Sequence, residues 1–116
     1  MSVLAGKRIV ITRALPQAPA LATLLEAKGA TAIVIPAIEI VPPQSFQPLD
    51  KALKKIQSYD WLILTSVNGV TALRKRMEKA GMDAGLLRPM RICAIGPATK
   101  AEIENQLGLK VALMPE

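Results

Sequence analysis

Five short apolar runs recur along this chain of 116 residues and set the limits on its fold: Arg8–Thr12 (RIVIT), Thr31–Ile35 (TAIVI), Trp61–Thr65 (WLILT), Arg91–Ile95 (RICAI) and Lys110–Met114 (KVALM). A strand that shows one face to water alternates apolar and polar residues, and these runs do not alternate. Each therefore predicts a strand buried on both faces, as in a parallel sheet covered by helices. Helical spacing fills the intervals. Ala18, Leu21, Ala22 and Leu25 form one stripe, with Gly29 as its stop. Leu49, Ala52, Leu53 and Ile56 form a second, with Pro48 suited to a first helical turn. Val70, Leu73, Met77 and Ala80 form a third before Gly81, and Thr99, Ile103 and Leu107 a weaker fourth before Gly108. The order β-α-β-α-β-α-β-α-β predicts an α/β fold with a parallel sheet and right-handed crossovers.

Two stretches break the rhythm. Residues 36–43 (PAIEIVPP) are bracketed by prolines, each of which disfavours helix in the residue before it. Ile38 and Ile40 alternate with Glu39, which predicts a short exposed strand. Residues 81–90 predict a loop with a helical turn near Asp83–Leu87.

The chain is 51% hydrophobic but only 3% aromatic, so its core must be aliphatic. The length suits one compact domain or two partial ones. The single cysteine, Cys93, sits in an apolar run and is expected to be an inert core thiol, suited to a reducing cytoplasm. Histidine is absent, which removes the commonest metal ligand and the commonest general base. No apolar run approaches the roughly 20 residues of a membrane span. The basic pair Lys7-Arg8 follows apolar residues, the reverse of a signal peptide. The chain thus reads as soluble and cytoplasmic. The net charge is +6, and basic residues cluster as Lys51/Lys54/Lys55 and Arg74/Lys75/Arg76/Lys79, expected on solvated outer helix faces. An acidic small ligand is compatible with this charge. Nucleic acid is not favoured, because Phe46, Tyr59 and Trp61 are too few and scattered for a stacking platform.

In open α/β sheets, ligands bind at the carboxyl ends of the strands. Three of these ends carry small hydrogen-bonding residues: Thr12-Arg13, then Thr65-Ser66-Val67-Asn68-Gly69, then Gly96-Pro97-Ala98-Thr99. Each leads towards a helix, whose first N–H groups are unpartnered and carry partial positive charge. Together they predict neutral sockets for carboxylate or phosphate, with Arg13 adding a two-point grip. For Ser66 and Asn68 a capping role alone is the competing reading. No Gly-x-Gly-x-x-Gly follows a strand and no Walker-type Gly-Lys-Ser/Thr occurs. A phospho-receiver would need acids where Thr12 and Thr65 stand. Glu39 is expected to face solvent or to lie at a domain junction.

Taken in order, Thr12-Arg13, Pro36-x-Ile38-Glu39-Ile40-x-Pro42, Asp60-Trp61-Leu62-Ile63-Leu64-Thr65-Ser66-x-Asn68-Gly69-Val70 and Ile95-Gly96-Pro97-Ala98-Thr99 resemble the uroporphyrinogen-III synthase family of tetrapyrrole biosynthesis. Each motif is weak alone; the ordered set is specific. The stretch Ala14-Leu15-Pro16 departs from it, since the family often places proline directly after the arginine. The family's enzymes are about double this length, so the resemblance covers their amino-terminal half.

The resemblance implies flavodoxin-like parallel sheets with flanking helices, in two domains joined by a two-stranded ladder. Residues 1–36 would open the first domain, 37–43 form one linker strand, and 44–116 open the second. The alternative is a single five-stranded flavodoxin-like domain over 1–116. The implied reaction is cyclisation of hydroxymethylbilane to uroporphyrinogen III, with inversion of the last pyrrole ring and loss of water. It needs neither cofactor nor metal. Thr12, Arg13, Thr65, Ser66, Asn68, Gly69, Gly96, Pro97, Ala98 and Thr99 carry over as substrate-lining positions for a polycarboxylate linear tetrapyrrole, with no general base identified. The family tyrosine near the cleft has no counterpart, since Tyr59 precedes a strand. A fragment of this kind is expected to be inactive alone and to associate through open sheet edges or with the missing half. The alternative function is a non-catalytic flavodoxin-like module that binds a small anion.

Overall fold

The computed structural model of the chain describes residues 2–116. They fall into two compact units that divide between Gln44 and Ser45.

The first unit is one β-α-β turn of chain. Strand β1 (Arg8–Ile11) leads to helix α1 (Ala18–Glu26) and strand β2 (Thr31–Val34). The strands are parallel, with Arg8 opposite Thr31 and Ile11 opposite Val34. Pro19 in the first turn of α1 starts the helix at no hydrogen-bond cost. Gly29 ends the connection at φ 93°, and a Cβ there would come within 2.5 Å of the Ser2 side chain, so the turn admits only glycine. Ile11, Ala14, Ala18 and Ala30 are buried. Pairing continues past the strands: the Ile35 N–H donates to the Ile11 carbonyl at 2.8 Å and the Ala37 N–H to the Thr12 carbonyl at 3.0 Å.

The second unit begins with helix α2 (Gln47–Lys54) and a 3-10 turn at Ile56–Ser58. Strand β3 (Trp61–Leu64), helix α3 (Val67–Lys79), a 3-10 turn at Ala84–Leu87 and strand β4 (Arg91–Ala94) follow. Helix α4 (Pro97–Glu102) then widens into a π-helical turn, Ile103–Leu107, that Gly108 ends at φ 63°. Strands β3 and β4 are parallel, Trp61 opposite Arg91 and Leu64 opposite Ala94. The core packs Leu53, Leu64, Val70, Leu73, Met77, Leu87, Ile92, Ala94, Ile103 and Leu107, and Cys93 is buried beside it. It contains no aromatic ring, in keeping with the composition. Val70, Leu73 and Met77 of the third stripe and Thr99, Ile103 and Leu107 of the fourth are buried, whereas Ala80 is exposed past the end of α3 and Ile56 lies in the 3-10 turn after α2.

Several expectations are corrected. Of the four strands only β4 is buried on both faces, at Ile92, Cys93 and Ala94; in the others Val10 is 54% and Ile63 60% exposed, and Ile33 and Trp61 are exposed too. In β1 and β3 exposed residues alternate with more buried ones, so one side of each of these strands is covered and the other is left bare. The fifth run, Lys110–Met114, is not a strand. It is reduced to one parallel bridge, Leu113 opposite Cys93, with the Ala112 and Leu113 N–H groups donating to the Ile92 carbonyl. Pro115 follows at once and has no N–H to continue a ladder. Residues 37–43 run exposed and, beyond the Ala37 N–H bond to the Thr12 carbonyl, take part in no ladder among the described residues. The described strands form two separate sheets rather than one of five strands.

The basic helix faces are also less free than expected. Arg76 is half-buried and gripped by Asp50, with the Phe46 ring 4.4 Å from its guanidinium carbon. The Arg76 hydrogen bond holds the Asp50 carboxyl below the ordinary carboxylate range, and Asp50 in turn raises Arg76. Arg74 bonds Glu78 and the Gln106 side-chain oxygen, while the Gln106 amide donates to Thr71 and Glu102. That network ties α3 to the π-helical turn.

Candidate functional site

Because β3 and β4 are parallel neighbours, their carboxyl ends finish along one edge. The Ile95 N–H donates to the Leu64 carbonyl at 3.0 Å and extends the pairing to that edge. The turns that follow, Thr65–Gly69 and Gly96–Thr99, therefore lie side by side. Ser66 is the cap of α3: in extended conformation, it accepts the Gly69 N–H on Oγ at 3.0 Å. The capping reading is thus correct for Ser66. It does not exhaust the side chain, because a hydroxyl that accepts one bond keeps its own proton to donate. Thr65 and Ser66 are exposed, while Asn68 and Gly69 are half-buried. A Cβ at Gly69 would meet the Ser66 oxygen at 3.4 Å, an ordinary van der Waals contact.

Gly96 has φ 89° and ψ 151°, a conformation essentially confined to glycine. No heavy atom lies within 4 Å of where its Cβ would be, so the backbone angle alone demands glycine. Pro97 follows in the first turn of α4. Pro97 and Ala98 are exposed, but Thr99 is only 4% exposed and offers a ligand little of its hydroxyl. Neither α3 nor α4 has an acid in its first turn, so the partial positive charge of the two helix starts is not offset locally. This edge can hold an anion through main-chain N–H and hydroxyl donors.

Thr12 and Arg13 belong to the first unit, at the carboxyl end of β1, and both are exposed. The Thr12 carbonyl is taken by Ala37, and Arg13 forms no ion pair with a described residue. Directly after them, Ala14-Leu15-Pro16 and residues 36–40 enclose a cavity of about 520 Å³. Sequence reasoning did not place Leu15, Pro16 or Ile38 at a site. The available signal was apolar residues between prolines that no strand or helix stripe could absorb. A second cavity of about 330 Å³, beside Arg88 and Lys110, is lined by none of the predicted site residues. Among the described residues no three His, Cys, Asp or Glu side chains converge on a point, and no helix is long and apolar enough to cross a membrane.

The curated uroporphyrinogen-III synthase of Synechococcus elongatus is 39% identical over 116 residues, covering 97% of this chain and 42% of the relative. The porphyrin biosynthesis protein HemD of Ruminiclostridium josui is 32% identical over 111 residues, 96% of this chain and 22% of the relative. The chain thus spans less than half the length of these relatives. Among solved structures, Thermus thermophilus uroporphyrinogen III synthase superposes with a TM-score of 0.55 at 24% identity, covering 95% of this chain and 44% of that one, a likeness of fold. The family model described as "Uroporphyrinogen-III synthase HemD" matches residues 19–116, and with most of its length inside that match the chain belongs to this family.

Proposed function

We propose that this chain supplies part of a uroporphyrinogen-III synthase, a lyase that closes hydroxymethylbilane to uroporphyrinogen III with inversion of the last ring and loss of water. The observation that carries the reading is the parallel pairing of β3 with β4, extended by the Ile95 N–H bond to the Leu64 carbonyl, which brings the starts of the Thr65–Gly69 and Gly96–Thr99 turns to one sheet edge. Main-chain donors, the Ser66 hydroxyl and unopposed helix starts suit the carboxylates of a linear tetrapyrrole. Thr12 and Arg13 are proposed to hold further carboxylates. The chemistry is positioning and electrostatic stabilisation of the cation formed when water leaves, and no side chain of this chain is assigned as general base. The reaction calls for no cofactor.

The bare faces of the two sheets need cover. Val10 and Ile33 in one unit, and Trp61 and Ile63 in the other, are apolar side chains left in water. The natural cover is the remainder of a longer protein, so the isolated chain binds weakly, self-associates and does not turn over.

The test is cyclisation of hydroxymethylbilane, read as uroporphyrinogen III by chromatography of the oxidised product. The chain is assayed alone and mixed with the carboxyl-terminal remainder of the Synechococcus elongatus relative. Activity only in the mixture is expected. Tetrapyrrole binding without cyclisation in the mixture would instead favour a non-catalytic anion-binding module, and absence of binding would end the tetrapyrrole reading.

A further inference from the structure

We propose that the cavity of about 520 Å³ in the first unit seats one pyrrole ring of an acidic pyrrole compound, with Glu39 accepting the ring N–H. The proposal rests on the tetrapyrrole reading above and assigns one subsite within it.

The volume falls within the range of roughly 300–1,000 Å³ usual for small-molecule sites. Leu15 and Pro16 form one wall, from the turn after β1, and Pro36, Ile38 and Ile40 form the other, from the segment after β2. The prolines fix the backbone angle of each wall. The Ala37 N–H bond to the Thr12 carbonyl ties the two walls together at the sheet edge. Leu15 is 66% and Ile38 59% exposed, so the walls present apolar side chains to water that nothing in the unit covers. A flat ring entering between them removes that surface from water.

Glu39 is the one ionisable residue in the lining. A carboxylate only accepts hydrogen bonds, so it selects a ring with an N–H and disfavours a ring whose acid arms point inward. The ring therefore enters with its nitrogen edge towards Glu39 and its acid arms towards solvent. Arg13, which precedes wall residue Ala14 and forms no ion pair with a described residue, can take one of those arms in a two-point contact. Glu39 and Arg13 together thus orient an acidic pyrrole by opposite effects.

The probe is a 2,5-dimethylpyrrole carrying acetate and propionate on its remaining carbons, titrated into the isotopically labelled chain and followed by amide NMR. Its N-methyl analogue serves as control. Shifts are expected at Leu15 and at Ala37, Ile38, Glu39 and Ile40. Glu39→Ala weakens the N–H compound by about tenfold or more, as loss of a charged hydrogen bond does. It leaves the N-methyl compound, already weak, unchanged. Glu39 is exposed, and the amide spectrum of the variant verifies its fold. Equal weakening of both compounds, shifts confined to other residues, or no binding would overturn the proposal. The outcome is separable from that of the function test. Cyclisation in the complemented mixture with no monopyrrole seated here would refute this subsite and leave the function standing. A seated monopyrrole with no cyclisation would do the reverse.

Discussion

Arg76 grips Asp50 through two parallel hydrogen bonds, Nε to Oδ1 at 2.7 Å and Nη2 to Oδ2 at 2.6 Å, across 26 positions of sequence. The pair fastens α2 to α3, and Phe46 lies against the guanidinium. Fork-on-fork geometry of this kind fixes orientation as well as adding attraction. Phe46, the residue just before α2, thus packs on the same arginine.

Asp50→Asn should therefore lower the thermal midpoint of the second unit at neutral pH, and the difference should vanish in acid. Pairing holds the Asp50 carboxyl below its ordinary value near 3.8. A depressed carboxylate stabilises fully above that value and loses its effect as pH falls through the lowered one. Thermal unfolding followed by Trp61 fluorescence from pH 7 to pH 2 checks this. A mutant deficit that persisted at the acid end would refute it.

Ser66 separates capping from binding. Ser66→Ala removes the acceptor for the Gly69 N–H and should cost about 1 kcal/mol, within a range of roughly 0.5–2. Ser66→Asp restores an acceptor and should recover that stability. It also places a carboxylate at the edge proposed to hold anions, so tetrapyrrole affinity should stay low. Urea titration and ligand titration on the same two variants give the answer.

At Gly96 the backbone conformation itself is the requirement. Gly96→Ala should cost about 1–3 kcal/mol although space for the methyl is open. The strain sits in the turn that presents Pro97 and Ala98, so weaker tetrapyrrole binding should accompany the lost stability. Wild-type stability in urea would show that the turn relaxes freely.

Leu87 and Ile63 test the division between covered and bare surfaces. Leu87 is fully buried beneath its 3-10 turn, and Leu87→Ala should cost about 2–5 kcal/mol. Ile63 is 60% exposed on a strand, and Ile63→Thr, which keeps the branched Cβ, should change stability by no more than about 0.5 kcal/mol. The same change should reduce association of the chain, read by sedimentation at increasing concentration. Unaltered association would remove this face from the contact.

Much of this was legible in the residues. Aliphatic runs and stripes such as Val70, Leu73 and Met77 specify strand and helix through periods that local geometry imposes, and glycines at the helix ends mark the stops. The ordered strand-end motifs marked the family and the edge at Thr65–Gly69 and Gly96–Thr99. What the residues could not show was which runs share a sheet and which faces find cover. A run such as Lys110–Met114 has the composition of a strand, yet it becomes one only where a neighbour offers a row of free N–H and C=O groups, and here it obtains a single bridge. Ile63 and Leu64 are chemically alike and adjacent, but only Leu64 meets the helices. Composition and period are properties of a segment, whereas burial, pairing and a cavity between Leu15 and Ile38 depend on segments distant in sequence, and those only the folded chain brings together.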